Sequence, residues 1–533
     1  MTAQYAHIPT TMKTGRKIYI ERNVGTYPTD RPIMKKNKII SAIAAFAACV
    51  QLTACGAAQT TRTSATEAAR TEASTAAEQT TTTQTEAAPA ETTATETTAA
   101  ETTAAAAKEE VPAASDEAPV SMETNRADTS NYKLTQVTVM SRHNIRAPLV
   151  SNGAANVIAT PHEWFAWTAN ASELSLRGGV LETEMGQYFR KWLEAEELIP
   201  ENYLPEEGEV RFYANSKQRT IATAQYFSGG FLPSANVTIE HYGDFGSMQP
   251  TFDPAIDFCT DAYAAAVQAQ FEEYGGASVA AELADNYKLL ADVVDYTESE
   301  GYLSGELTDF VTDDTTILPT EGKELTIGGT LKTASSVSDA LVLQYYEEPD
   351  PVKAAFGKTL TQAQWEQIAA ITTKYGMVRH GLPLVAVNAA NPLLKEIRSE
   401  FTNDARKFTF LCGHDANIIN ILTAMEAEDY QLPYTLEKKT PIGVKLVFEK
   451  WEDADGKEFA AVELIYQSTE QLRAASFLTL DTPPAIYSLS FEGIEKNADG
   501  LYTYDDIVGR LDKAISAYDD MVAEYGDRLD DAA

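Results

Sequence analysis

The sequence is poor in cysteine and in positive charge, and one long stretch lacks every residue that builds a core. Four cysteines occur in 533 residues, two of them near the N-terminus. That excludes a disulfide-stapled fold and any four-cysteine zinc site in the remainder. Lysine and arginine number 42 against 78 aspartates and glutamates, a net charge of −36. So acidic a chain lacks the basic footprint of a general nucleic-acid binder, and no nucleic-acid partner is expected. From Thr61 to Glu110 there is no Val, Ile, Leu, Met, Phe, Tyr or Trp, while 17 Thr, 16 Ala and 9 Glu fill most of the 50 positions. Nothing there can offset the entropy of ordering the backbone. Residues 56–130 therefore read as a disordered tether, extended by its own acid groups. Folding is expected from about Asn131 to the C-terminus, about 400 residues.

Long apolar runs are also scarce. Ile39 to Val50 is a run of 12 mostly apolar residues, too short to span a bilayer. The basic Met34-Lys35-Lys36-Asn37-Lys38 precedes it, and Leu52-Thr53-Ala54-Cys55 follows. That order is an export leader over 34–55 ending in a lipobox-like Cys55, the expected lipid acceptor. The expectation is a protein lipid-anchored on the outer face of a bacterial membrane or its periplasmic side. Residues 1–33 then read as an upstream extension, with translation starting at Met34.

Three strand-to-helix corners hold the unusual residues. Leu134-Thr-Gln-Val-Thr-Val-Met140 reads as a buried strand, and Ser141-Arg142-His143-Asn144-Ile145-Arg146-Ala147-Pro148 ends it. Two arginines around one histidine repel each other unless an anion lies between them, and a guanidinium fork suits phosphate oxygens. Val210-Arg-Phe-Tyr-Ala214 leads into Asn215-Ser216-Lys217-Gln218-Arg219-Thr220, then apolar residues at helical spacing. Asn215 or Ser216 can cap that helix. Arg219 in its first turn is unfavourable unless an anion is present. Lys407-Phe-Thr-Phe-Leu-Cys412 leads into Gly413-His414-Asp415-Ala416-Asn417 and a third helix. In open α/β sheets ligands bind beyond the carboxyl ends of strands.

Arg-His-x-x-Arg-x-Pro followed about 270 residues later by His-Asp resembles the histidine acid phosphatases. Met248-Gln-Pro-Thr-Phe-Asp-Pro254, Leu343-Gln-Tyr-Tyr346, Thr440-Pro-Ile-Gly443 and Tyr466-Gln-Ser-Thr-Glu-Gln-Leu-Arg473 extend the resemblance toward that family's periplasmic glucose-1-phosphatase branch. It covers residues from about 132 to 520. Ala416 departs from it, standing where that branch has a small hydroxyl residue. Cysteine usage departs too: only Cys259 and Cys412 fall in the folded part, and both are expected free.

The resemblance implies an α/β fold, a mainly parallel sheet flanked by helices, with an inserted helical cap at about 259–375. It implies phosphomonoester hydrolysis through a phosphohistidine on His143. Asp415 is the proton donor, Arg142, Arg146, Arg219 and His414 hold the phosphoryl oxygens, and no metal or cofactor is needed. Asn144 and Leu149 match the glucose-1-phosphatases, where most phytases of the family have Gly at the position of Asn144. The sugar-contacting glutamate of that branch falls on Glu324. A phytase or broad-specificity acid phosphatase is the nearest rival reading, and an inactive lipid-anchored sugar-phosphate binder a remote one. Arg379-His380 also contains Arg-His, but Pro383 stands at +3 from the histidine, where the clamp needs Arg, and the segment reads as a loop. His162 in Pro161-His-Glu-Trp164 is a candidate for the rim of the site.

Overall fold

The computed structural model describes residues 125–149, 155–276 and 278–526. The leader, Cys55 and residues 56–124 of the tether lie outside them. Residues 125–130, assigned to the tether from composition, pack on the folded part. Arg126 reaches two fully buried carboxylates, Glu449 Oε1 at 3.0 Å and Glu463 Oε2 at 3.2 Å. Asn125 exchanges side-chain hydrogen bonds with the backbone of Ser488. The ordered chain thus begins before Asn131.

The β-branched run after Lys133 forms the strand expected of it, β1 (Lys133–Arg142), buried along nearly its whole length. Helix α1 (Leu176–Ala195) follows, capped by the Ser175 hydroxyl, which accepts from the Gly178 N–H. The second corner is β2 (Val210–Ala214) and α2 (Gln218–Phe231), then the short β3 (Ile239–Glu240).

An insertion comes next. It contains α3 (Asp261–Glu273), α4 (Val279–Glu282), α5 (Ala284–Val293), α6 (Glu300–Leu303), a hairpin of β4 (Thr316–Leu318) and β5 (Thr326–Gly328), α7 (Thr330–Glu347), α8 (Pro351–Ala354) and α9 (Gln362–His380). This is the helical cap, with a core that includes Leu290, Leu331, Leu341 and Trp365. It runs about five residues past the expected boundary, because α9 continues unbroken to His380. Arg379-His380 is therefore the last turn of a helix, not a loop. A capping box at Thr361 and Gln364 starts that helix, and Ser338 of α7 donates to the Ile368 carbonyl to hold it in place.

The chain returns through α10 (Pro383–Phe401) to the third corner, β6 (Phe408–Gly413) and α11 (Asp415–Ala424). It closes with β7 (Lys445–Glu452), β8 (Glu458–Tyr466), α12 (Thr469–Ala474), β9 (Ala485–Ser488), β10 (Tyr502–Thr503) and α13 (Tyr504–Tyr525).

The main sheet runs β10-β8-β7-β1-β6-β2-β3, with β9 also on β8. β1, β6, β2 and β3 are parallel neighbours, while β7, β8, β9 and β10 pair antiparallel. Side chains alternate across it. Val139, Phe408, Phe410 and Val447 meet α1 and α2 on one face. Met140, Leu411, Leu446 and Phe448 meet α10, α11 and α13 on the other. Because β1, β2 and β6 are adjacent and parallel, their carboxyl ends lie side by side, and all three corners open at one sheet edge.

Candidate active site

His143 continues from β1, its backbone N–H donating to the Gly413 carbonyl at 3.0 Å. Helix α1 comes close beneath this corner because Gly178 has no side chain: a Cβ there would lie 2.4 Å from the Ile145 carbonyl oxygen. His143 Nδ1 lies 2.8 Å from the Asn144 carbonyl oxygen. A carbonyl only accepts, so Nδ1 carries the proton and Nε2 keeps its lone pair. Burial, then Arg219, His414, Arg146 and Arg142, push the His143 pKa well below its ordinary value. That favours the neutral imidazole, the form in which Nε2 can act as a nucleophile.

Arg142, Arg146, Arg219 and His414 come together around it. The His143 and His414 rings meet edge to face at 5.4 Å. Arg219 is the second residue of α2, and its Nη2 donates to His414 Nδ1 at 3.4 Å. That leaves the His414 proton on Nε2 as a donor. Burial and Arg146 push Arg219 down to about 10, and its Nε is buried without a hydrogen-bond partner. Lys217, rather than Asn215 or Ser216, occupies the cap position of α2, and no side chain caps the helix. The uncapped N-terminus of α2 thus adds to a site built for an anion.

The remaining clamp residues have carboxylate partners. Arg146 Nη2 reaches Asp339 at 3.1 Å. Arg142 Nη2 lies 3.2 Å from Asp415 Oδ2, and its Nη1 lies 4.0 Å from the buried Glu437. Asp415 is the first residue of α11, with His414 rather than Asp415 at the cap position; its carboxylate accepts from the Ala416 N–H and faces the cavity. Burial acts to raise the Asp415 pKa. Arg142, His380 and His414 outweigh it and hold the carboxyl below the usual carboxylate range.

These groups line a cavity of about 890 Å³. Leu149 and Glu324 line it as well, whereas Asn144 does not. The Asn144 side chain is buried against Glu182, to which its Nδ2 donates at 2.8 Å. His162 is not at the rim either: its Nε2 meets Asp295 at 2.6 Å and its ring stacks on Phe356. The sequence reading missed the far wall. Arg379 Nη2 holds Glu324 at 3.2 Å, and His380 Nε2 lies 3.8 Å from the same carboxylate. His380 is buried in the cavity wall, its Nδ1 unpartnered, and burial and Arg379 push its pKa down to about 3. It reaches the cavity as the last residue of α9 (Gln362–His380), one position after Arg379. Both thiols are free as expected, Cys412 inside β6. Among the described residues no three His, Cys, Asp or Glu side chains group to hold a metal ion.

The sequence model of the histidine phosphatase superfamily (branch 2) matches residues 133–467. A glucose-1-phosphatase of Salmonella typhimurium is 38% identical over 378 residues, 70% of this chain and 91% of that protein. A glucose-1-phosphatase of Providencia rettgeri is 34% identical over 398 residues, 73% and 93% of the two chains. The structure of Hafnia alvei phytase in complex with tartrate superposes with a TM-score of 0.66 at 24% identity, over 73% of this chain and 98% of that one. At that identity the match speaks for the fold alone.

Proposed function

Because the chain belongs to branch 2 of the histidine phosphatase superfamily, we propose that its phosphomonoesterase activity is directed at sugar phosphates, with His143 as the nucleophile. Two curated relatives, 38% and 34% identical, are named glucose-1-phosphatases. The observation that carries the preference is the charge around the clamp. Beyond the three arginines and their partners, four carboxylates (Asp253, Glu306, Asp314, Glu324) line the cavity against three cations (Lys217, Lys332, Arg379). Such a wall offers no surplus of cations to a ring bearing many phosphates. It suits one phosphoryl group joined to a neutral, hydroxyl-rich leaving group, to which Glu324, Ser and Thr side chains offer hydrogen bonds.

The phosphoryl group enters the space between Arg142, Arg146, Arg219 and His414. Nε2 of His143 attacks phosphorus, and the bond to the leaving oxygen breaks. Charge spreading over the equatorial oxygens meets guanidiniums and the His414 N–H already in place. The alkoxide needs a proton, yet Asp415 is ionised in the free site. A substrate bound as its monoanion brings that proton. Asp415, now facing phosphate oxygens with Arg142 shared between them, takes it up and passes it to the leaving group. The same carboxylate then accepts a proton from the water that cleaves the phosphohistidine. The test is the ratio of kcat/KM for glucose 1-phosphate to that for inositol hexakisphosphate on the purified protein. A ratio above ten is expected, and a preference for the hexakisphosphate refutes the reading. We infer export and anchoring at Cys55 from the leader pattern alone.

A further inference from the structure

Asn144 matches a glucose-1-phosphatase signature, yet its side chain turns away from the cavity. Its amide is held at both ends: Nδ2 donates to Glu182 Oε2 at 2.8 Å, and Oδ1 accepts from the Ile145 N–H at 2.8 Å. Glu182 Oε1 lies 2.8 Å from Lys445 Nζ, and both side chains have no exposed surface. Lys445 Nζ donates to the Gly443 carbonyl at 2.6 Å, and the Gly443 N–H donates to the His143 carbonyl at 3.3 Å. His143 Nδ1 in turn donates to the Asn144 carbonyl. The contacts close a ring: His143, Asn144, Glu182, Lys445, Gly443, His143. Three elements far apart in the chain contribute to it: the first corner, α1 and the start of β7.

Two further contacts tighten the ring. The Asn144 N–H donates to Thr223 of α2 at 3.2 Å. Gly443 has φ +70°, and a Cβ there would lie 2.6 Å from Asn144 Nδ2, so only glycine fits beside this amide. A fully buried ion pair is costly to desolvate and is poor as a source of stability. Here the pair holds the side-chain amide of the residue whose backbone carbonyl accepts from His143 Nδ1.

We propose that Asn144, Glu182 and Lys445 are positioning residues, a buried ring that fixes the tautomer and orientation of His143 and sets the rate of phosphoryl transfer without touching the substrate. The proposal rests on His143 being the nucleophile. A near-attack geometry is steep: a displacement of about 1 Å costs roughly 10²-fold in rate. Asn144→Ala should therefore lower the rate of phosphohistidine formation by about 10- to 100-fold. The loss should be alike for glucose 1-phosphate and p-nitrophenyl phosphate, with the inhibition constant of inorganic phosphate changed less than about twofold. Glu182→Gln keeps an acceptor for the amide but leaves Lys445 without its counter-charge, so a smaller loss of the same kind is expected. Rapid mixing with alkaline quench measures the phosphohistidine, and thermal melts check folding.

A rise in KM for the sugar phosphate with kcat intact places Asn144 against the substrate and overturns the proposal. So does a folded variant with the wild-type rate. If neither variant folds, ¹⁵N spectra of histidine-labelled wild-type protein decide, since only six histidines are present. His143 must show the Nδ1-protonated tautomer unchanged between about pH 5 and 7, the range around the ordinary imidazole pKa. An Nε2-protonated or averaging ring refutes it. Failure of the wild type to form any phosphohistidine refutes the nucleophile reading instead.

Discussion

Replacing Asp415 by Asn separates two effects that the structure sets against each other. The carboxylate stands 3.2 Å from Arg142, inside the space the phosphoryl group must share. In the proposed reaction its removal deletes the group that transfers the proton, and general-acid help is worth about 10²–10⁴. It also deletes a negative charge beside an anion. Two unit charges about 4 Å apart at an effective dielectric of about 20 interact by ~4 kcal/mol. Asp415 is half-exposed and Arg142 lies against it, so screening leaves about a tenfold effect, ~1.4 kcal/mol. Inorganic phosphate should therefore inhibit Asp415→Asn about ten times more strongly than wild type, while turnover of glucose 1-phosphate falls by about 10²–10⁴. p-Nitrophenolate leaves with little protonation, so its release in a single turnover should fall far less. Quenched-flow release of the alcohol isolates the first step, because water attack is slowed with either substrate. Equal losses for the two substrates, or phosphate binding weakened in the variant, would sink the role given to Asp415.

Stability should depend on pH through the buried histidines. His143, His414 and His380 have folded-state pKa values below the ordinary 6.5, so the unfolded chain takes up protons first and stability is lost as pH falls through and below 6.5. For His380, at about 3, the loss between pH 7 and 5 is about 2 kcal/mol. The buried Glu463, its pKa raised to about 8, acts in the opposite sense over that range, so the test is the difference: on acidification the calorimetric Tm of His380→Gln should lose less, or gain more, than that of wild type, and parallel curves refute this. Arg126→Ala leaves Glu449 and Glu463 buried without their cation and should cost about 3 kcal/mol in a denaturant melt, less if Glu463 takes a proton. An unchanged midpoint shows that residues 125–130 do not hold the fold. Cys55→Ser should move the protein from the membrane to the soluble fraction of an expressing bacterium, and identical partitioning removes the lipobox reading. Deleting Thr61 to Glu110 should leave kcat/KM of the purified protein unchanged, and a tenfold fall shows the tether to matter.

The second and third corners were legible because each is written locally: a strand run, a short polar or glycine turn, and apolar residues at helical spacing announce strand, corner and helix without reference to the rest of the chain. The first is a strand end only, since the next α-helix, α1, begins at Leu176; its β-branched run announces the strand and the Arg-His-x-x-Arg cluster marks the end. Their convergence then follows from a parallel sheet. His380 was not legible. It lacks the second arginine of the first corner, and its place in the cavity comes from the packing of α9 along α7, which local pattern does not encode. Asn144 shows the converse. The sequence reading matched the residue to its family, but which way its amide points depends on Glu182 and Lys445, one in a helix and one in a strand. Isolated charges in amphipathic elements read as surface, and nothing in their spacing announces a buried pair. The missed boundary at Arg126 has the same cause, since its partners lie more than 300 residues away.

The parallel pairing of β1 with β6 joins Val137 to Phe408 and Arg142 to Gly413, partners roughly 270 residues apart. Until β6 is made, a growing chain has His143 and three arginines but neither the strand that supports them nor His414 and Asp415. A chain that ends before β6 therefore lacks part of the proposed site and is expected to be silent. Activity appears late, and abruptly, in the order of assembly. Pairings of such long separation also form slowly, so regain of activity after dilution from denaturant should trail the return of helical signal, and hydrolysis marks the molecules whose first and last thirds have found each other.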